Sequence, residues 1–279
     1  MEQAIIDISQ LIEAANRLPP LPASLTQLAA IVATDDFALR DLIDVVSYDP
    51  VLTARLLRAA NSASSAAASE VATVRDAVVR LGAGPVLAIA MGGTVGSRVR
   101  RSSADAATVA SLWSHSVATA VACEVVKGFA AVEVPVAAMT AALLHDIGKL
   151  VLAETLTPHI LQLLEEVAAA ENLDTKDAEM AVLLVDHGEL GAVASRAWQL
   201  PEDITDAIEH HHTPEELTRP VVAAVALADV IAHDLIGTPL SDEALRTESL
   251  AALHISEASY DVLTATACER NELLADQFG

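Results

Sequence analysis

Residues 105–127 predict a helix that is apolar nearly all round, and this feature limits the possible folds more than any other. Its apolar side chains point to almost every side of the helix: Val109, Leu112, Trp113, Val117, Ala118, Val121, Ala122 and Val125. Because such a helix has to be covered by other elements, we expect it to be central and buried. One histidine, His115, lies inside it, although a buried histidine is more often a hydrogen-bonded core residue than a ligand.

The composition favours packed helices. The 279 residues are 53% hydrophobic but only 3% aromatic, and alanine, leucine and valine dominate. Alanine forms helices readily, and its small side chain lets two helices approach closely. Since no alternating apolar and polar runs are bounded by hairpin turns, strands are not expected. The sequence therefore predicts an all-α protein with one large domain or two modest ones.

The charge balance restricts the partners. There are 39 acidic and 16 basic residues, which gives a net charge of −23. Such a surface repels nucleic acid and anionic membranes but attracts cations. The acidic N-terminus lacks the features of a signal peptide, and no stretch is judged long and apolar enough to span a membrane. Two cysteines without partner spacing, Cys123 and Cys268, are typical of a reduced protein, so we expect a cytoplasmic location.

Three segments are expected along the chain: an N-terminal helical part (1–101), a helical core with the functional site (102–235) and a C-terminal helical extension (236–279). The first boundary follows the one basic cluster: Arg98, Arg100 and Arg101. This cluster is interpreted as a solvated helix end, because cations complement the dipole there.

Local signals divide the N-terminal segment into helices. Asp49-Pro50 predicts a helix start, because aspartate caps and proline fits the first helical position. Thr73 predicts the cap of a further helix that ends at Gly82. Between them, Ser62–Ser69 contains only serine and alanine and predicts a mobile connection.

A His-Asp pair, His145-Asp146, ends a run of small and apolar residues and is followed by Gly148 and Lys149. Histidine and aspartate are both good ligands for divalent metals. On one continuous helix, Lys149 would project from the same face as His145, four residues earlier. Taken alone, the pair also fits a helix C-terminus with local hydrogen bonds.

Other polar residues lie in similar apolar settings, on different helices or helix ends: His115, His187, His211, His212 and Asp229. Left unpaired in a core, each separate polar site would cost a few kcal/mol. One shared metal site would satisfy them together with His145 and Asp146. Imidazole and carboxylate ligands suit Fe, Mn, Zn, Ni or Co better than Ca or Mg.

Seven ligands exceed the need of one ion, so the sequence predicts two divalent transition-metal ions, with Asp146 as the bridge between them. Two such ions activate a bridging water and polarise a phosphoryl oxygen. Lys149 is expected near the ions but not as a ligand, where it would bind a substrate phosphate or neutralise the leaving oxygen. Asp146 and Lys149 are therefore the predicted catalytic residues.

The order His115, His145-Asp146, Asp229 resembles the signature of the His-Asp (HD) phosphohydrolase superfamily. The additional His187 and His211-His212 are similar to the extra ligands of its dinuclear HD-GYP branch. The spacing from Leu200-Pro201 assigns the paired histidines to His211 and His212, but the triple run leaves His210 open as a replacement for either one.

The N-terminal half is more specific. LPPLPASL at 18–25, SYDPVLTARLLRAANSA at 47–63 and TVRDAVVRLGAGPVLAIAM at 73–91 together resemble the HDOD family, over roughly residues 15–235. This resemblance implies an all-helical N-terminal part packed on an HD-like core, and a role in bacterial signal transduction. Many HDOD proteins are regulatory modules that have lost part of the metal site, whereas this sequence retains the set.

Two departures from the HD-GYP pattern argue against hydrolysis of cyclic di-GMP. Thr213-Pro214-Glu215 follows His212 in place of the family's glutamate, with no Gly-Tyr-Pro after it, and Ser111 stands where some members carry a glutamate for a third ion. Two functions are therefore weighed. One is a phosphohydrolase acting on a nucleotide or another phosphate ester. The other is a non-catalytic signalling module whose helical surface binds a protein partner and whose metal site is structural, sensory or vestigial. A DNA-binding regulator built on residues 36–60 is disfavoured by the net charge.

Overall fold

The regular structure of the chain is helical throughout the part that the structure, a computed structural model, describes: residues 8–34, 37–61, 71–99, 104–236 and 243–274. No β-strand occurs in these ranges, and the all-α prediction is confirmed. The N-terminal helices are α1 (Ile8–Asn16), α2 (Ala23–Val32), α3 (Leu39–Ser47), α4 (Pro50–Ala60), α5 (Val74–Leu81) and α6 (Ala83–Val99).

The helices that follow position the functional site. They are α7 (Ala106–Phe129), α8 (Ala138–Leu144), α9 (Ile147–Thr155), α10 (Pro158–Glu171), α11 (Thr175–Leu183), α12 (His187–Ala197), α13 (Glu202–His210), α14 (Pro220–Ile236), α15 (Glu243–Ala252) and α16 (Glu257–Leu274). A short 3-10 helix, Pro214–Glu216, precedes α14.

Two of the N-terminal helices start at the cap residues that the sequence predicts. The carboxylate of Asp49 accepts hydrogen bonds from the backbone nitrogens of Val51 and Leu52, both at 3.0 Å. The hydroxyl of Thr73 accepts one from the nitrogen of Asp76 at 3.1 Å, and α5 ends at Gly82, whose φ of 82° is in the left-handed region that glycine tolerates. The Ser62–Ser69 connection and the side chains of the basic cluster lie outside the described residues, so those interpretations stay predictions.

Helix α7 is central, as its sequence predicts. It packs against α8, α14 and α16, and most of its residues after His115 are buried. We expected no stretch long and apolar enough to span a membrane, and judged by length and composition this was wrong. Helix α7 is long and apolar enough, and so is the bent pair of α5 with α6. A share of 67% of the α7 window is buried inside the protein, and a buried core helix meets the same test.

The apolar core is continuous from α2 to α16 and includes both α7 and α14. A smaller apolar cluster joins Leu11 and Ala15 of α1 to Val151 of α9 and Leu190 of α12. Helix α1 thus packs directly on α9, which follows Asp146, and on α12, which begins with His187. Both residues are predicted metal ligands. The division at residues 101 and 235 stays a prediction.

Candidate metal centre

His115 and Asp229 meet because α7 packs on α14. The Nε2 atom of His115 lies 2.8 Å from Oδ1 of Asp229, and both side chains are buried. Thr119, one turn further along α7, donates its hydroxyl to the carbonyl oxygen of His115 at 2.9 Å. Two residues 114 positions apart in the sequence are therefore held together by the packing of two apolar helices.

His145 and Asp146 occupy the turn between α8 and α9. The Nδ1–H of His145 donates to the carbonyl oxygen of Ala142 at 2.7 Å, which leaves Nε2 facing the centre. Because the helix is interrupted here, the expectation that His145 and Lys149 share one helix face was wrong. Lys149 instead bonds Asp146, with Nζ 2.8 Å from Oδ2.

His187 is the first residue of α12. Its helix begins with a capping box, in which Asp186 accepts from the backbone nitrogen of Glu189 and Glu189 reaches back to that of Asp186. The ring and backbone of His187 are both bonded to the buried carboxylate of Glu179, on α11. Sequence reasoning missed Glu179, since neither α11 nor any partner for His187 was predicted.

The two histidines after α13 complete the set. The Nδ1–H of His211 donates to the carbonyl oxygen of Ile208 at 2.8 Å, so its Nε2 also faces the centre. The rings of His211 and His212 lie with centroids 4.1 Å apart. His210 ends α13 and stands outside the groups of converging ligand atoms found in the described residues, so the geometry favours the His211-His212 pairing.

One group of ligand atoms, the first cluster, comprises His115, His145, Asp229 and the Oδ2 atom of Asp146. Within it, the Nε2 atoms of His115 and His145 are 3.2 Å apart. His145 lies 3.4 Å from Asp229 and 3.5 Å from Asp146, and His115 lies 3.7 Å from Asp146. Four donor atoms from two helices and one turn thus surround one point.

The second cluster comprises His187, His211, His212 and the Oδ1 atom of Asp146. The Nε2 atoms of His187 and His211 are 3.3 Å apart, and Oδ1 of Asp146 lies 3.4 Å from the first and 4.0 Å from the second. One ligand atom from each of the three histidines lies within 4.8 Å of the others. The two carboxylate oxygens of Asp146 therefore face different clusters.

These spacings fit donors around an ion. Ligands about 2.1 Å from a metal are about 3.0–3.4 Å apart when they are neighbours in an octahedral or tetrahedral arrangement. The Nε2 atoms of His187 and His211 are 3.3 Å apart. Without a cation or a proton between them, their two lone pairs would repel each other. In addition, Oδ1 of Asp146 is buried without a hydrogen-bond partner in the structure. The residues present fit a site for divalent metal.

The electrostatics support the same conclusion. Burial alone would raise the pKa of the Asp146 and Asp229 carboxyls, but the surrounding imidazoles hold both well below their usual range. Burial would lower the pKa of Lys149, yet the two carboxylates raise it. Burial lowers the pKa of His211 well below its usual value, and neighbouring histidines add to this effect. Ionised carboxylates and a neutral His211 are forms that bind metals. Burial would lower the pKa of His145 as well, whereas Asp146 and Asp229 raise it against that effect.

The centre is deep in the protein. His145, His187 and His211 are fully buried, and the described residues leave a cavity of only about 20 Å³ beside Asp146 and Trp113. A wider cleft of about 440 Å³ opens toward Trp198 and shares three lining residues with that cavity: Val95, Ile147 and Leu150. On this side of the centre, the described residues therefore leave little room beside Asp146.

Comparison with known proteins places this chain in a family. A model of the HDOD domain matches residues 18–214, and the chain belongs to the HDOD family. An uncharacterised protein of Treponema pallidum is 27% identical over 225 residues, which are 79% of this chain but 43% of that protein. The chain thus spans less than half the length of this curated relative.

Two solved structures resemble the whole fold. One is a candidate phosphohydrolase from Shewanella amazonensis, at 25% identity and a TM-score of 0.72, covering 96% of this chain and 98% of that chain. The other, from Marinobacter aquaeolei, is named as a candidate signal transduction protein, at 22% identity and a TM-score of 0.76, covering 99% of this chain and 66% of that chain. The second likeness shows the fold alone.

Proposed function

We propose that this HDOD protein binds two divalent transition-metal ions and hydrolyses a phosphate ester in signal transduction. The observation that carries the proposal is that the two carboxylate oxygens of Asp146 face different clusters. Oδ2 faces the first cluster and Oδ1 faces the second. A carboxylate shared in this way is a natural bridge between two ions. The similarity to a candidate phosphohydrolase supports this reading.

The chemistry follows from the donor set. When bound, two adjacent ions supply a water-derived nucleophile at neutral pH and polarise a phosphoryl oxygen. Fe, Mn, Zn, Ni and Co all suit imidazole and carboxylate ligands. The ligand set resembles that of the HD-GYP branch, but Thr213-Pro214-Glu215 departs from its pattern. We therefore propose a nucleotide or another phosphate ester as substrate rather than cyclic di-GMP.

Lys149 has a role of its own in this proposal. Its ammonium group donates to Asp146 Oδ2, and the raised pKa keeps it protonated. Its side chain is 18% exposed, in contrast to the 2% of Asp146, so it lies on the outer side of that carboxylate. An N–H not used by Asp146 is available to a substrate phosphate oxygen or to the leaving oxygen.

The test is metal binding and turnover by the full chain loaded with Mn or Fe. We expect about two ions per chain by elemental analysis and hydrolysis of bis(p-nitrophenyl) phosphate or of members of a nucleotide panel. Asp146→Asn should lose ions and turnover together, whereas Asp261→Asn, at an exposed carboxylate on α16, should change neither. No turnover with any metal, in protein that holds two ions, would refute the enzymatic proposal.

A second candidate is a signalling module in which the ions are structural and a helical surface binds a protein partner. The small cavity beside Asp146 favours it, because a substrate has little room to reach the buried ligands from that side. If substitution of His145 and Asp146 removes the ions but leaves partner binding and the output in cells intact, the module is favoured over the enzyme.

The proposed setting is the cytoplasm. With a net charge of −23, the chain is expected to bind neither nucleic acid nor an anionic membrane. A phosphate-containing small molecule and a signalling protein are the proposed partners. Fractionation of cells and a salt-dependent mobility shift on DNA would test these expectations.

A further inference from the structure

His233 lies at the edge of the first cluster, on the helix that carries Asp229. The two residues are four positions apart on α14, so their side chains project from the same helix face. The Nε2 atom of His233 is 3.6 Å from Oδ1 of Asp229, and its ring centroid is 4.4 Å from that of His115. Neither the predicted ligand set nor the family signature includes this histidine.

The distances around Asp229 Oδ1 resemble those between the other ligand atoms of the first cluster. Three imidazole nitrogens approach this single oxygen: His115 at 2.8 Å, His145 at 3.4 Å and His233 at 3.6 Å. Only the first distance is that of an N–H···O hydrogen bond, which spans about 2.7–3.2 Å. The separation of His233 falls inside the 2.8–3.7 Å range found within the first cluster. One ligand atom from each of His115, Asp229 and His233 lies within 4.8 Å of the others.

The position of His233 differs from that of the other ligands in one respect. Its side chain is 21% exposed, whereas those of Asp229 and His145 are 2% and 0% exposed. An imidazole there closes the side of the first cluster that faces solvent. Five or six ligands suit Mn, Fe, Co or Ni better than the four typical of zinc.

We infer that His233 is a fifth protein ligand of the first ion, beside His115, His145, Asp146 and Asp229. This inference rests on the proposed two-ion site but not on any catalytic activity. The ion at this site would be a divalent transition-metal ion held by three imidazoles and two carboxylates. It adds a ligand outside the predicted set of seven.

The experiment isolates the first ion and uses Co²⁺ as the probe. His212→Ala removes a ligand of the second cluster only, so the ion that remains tightly bound in this background reports on the first cluster. Adding His233→Ala should weaken the binding of that Co²⁺ by about 10–100-fold, as measured by titration calorimetry, and should change its visible absorption spectrum. His159→Ala, at an exposed histidine of α10, should do neither.

His233→Gln guards against misfolding, since it retains a polar side chain of similar reach. With the helical circular dichroism intact, unchanged Co²⁺ affinity and spectrum in both His233 variants would overturn the inference. A parent protein that binds no ion would overturn this inference and the proposed function together. Weaker Co²⁺ binding in a protein with no turnover would support the ligand role of His233 and contradict only the hydrolase.

Discussion

The carboxylate of Glu179 bonds His187 twice, with Oε2 2.8 Å from the backbone nitrogen and 2.6 Å from the ring Nδ1. Both side chains are buried, so this contact fixes the start of α12 and the orientation of the ring. Because Nδ1 donates to Glu179, the lone pair of Nε2 faces the second cluster. A carboxylate that orients a metal-binding histidine in this way raises the affinity of the site.

We therefore predict that Glu179→Gln weakens the second ion more than the first. The neutral amide makes a poorer acceptor for the imidazole, so the affinity for the second ion should fall by about 10–100-fold. Titration of the metal-free protein with Mn²⁺, analysed as two sites, would measure this effect. Glu165→Gln, at an exposed carboxylate of α10, is the control, and equal weakening of both sites by Glu179→Gln would contradict the prediction.

Lys149 offers a test that separates binding of the ions from turnover. Since it contacts Asp146 Oδ2 without belonging to the ligand groups, Lys149→Gln should leave the ion content at the wild-type level. The loss of its charge near the reacting phosphate should reduce kcat by about 100-fold. Lys127→Gln, near the end of α7, is the matched control. A variant with full ion content and unchanged kcat would remove Lys149 from the mechanism.

The metal-free protein should lose stability as the pH falls below about 6.5, the ordinary pKa of histidine. Burial lowers the pKa of His212 to about 3 and that of His211 well below its usual value, so both stay neutral in the folded state. Below pH 6.5 the unfolded state binds more protons than the folded state at these positions, and the free energy of unfolding decreases. His145 opposes this trend, because Asp146 and Asp229 raise its pKa against the effect of burial.

The measurement is the melting temperature of chelator-treated protein between pH 7.5 and 5.5. Replacing His211 and His212 together by glutamine removes two groups that must stay neutral in the folded state, so the decline should become shallower. His159→Gln should follow the wild-type decline. Parallel curves for the double variant and the wild type would show that other groups determine the acid sensitivity.

Much of this architecture could be predicted from local patterns. The lack of a polar face placed α7 at the centre, and cap chemistry located the starts of α4 and α5. The seven predicted ligands stood out because each lay within or beside an apolar stripe, where an unpartnered polar group is costly. The structure brings all seven into the two clusters, although their binding of metal stays a prediction.

Other features depend on tertiary packing and left no clear local signal. Glu179 lies among acidic residues of an amphipathic stretch, and only the contact of α11 with the start of α12 buries it. The helix break at His145-Asp146 lacks proline, so the pairing of Lys149 with Asp146 was not expected. His233 did have a signal, its four-residue spacing from Asp229, but it was not among the seven predicted ligands.

The glycine of the His-Asp motif is needed for close packing of α9 on α12. A Cβ atom built on Gly148 would lie 1.9 Å from the carbonyl oxygen of His187 and 2.9 Å from the nitrogen of Gly191, both backbone atoms that cannot move independently of α12. Gly148→Ala should therefore push the two helices apart, destabilise the fold by about 1–3 kcal/mol and weaken the second ion through His187.

Gly128 provides the matched comparison, because it lies within a helix, α7, and a Cβ there would meet no atom within 4 Å. Gly128→Ala should stabilise the protein by up to about 1 kcal/mol, since alanine is the better helix former. Urea unfolding of both metal-free variants measures the two effects, and Mn²⁺ titration then reports on the second ion. If Gly148→Ala is as stable as Gly128→Ala and binds both ions normally, the helices can separate freely, and the close approach of α9 to α12 does not position His187.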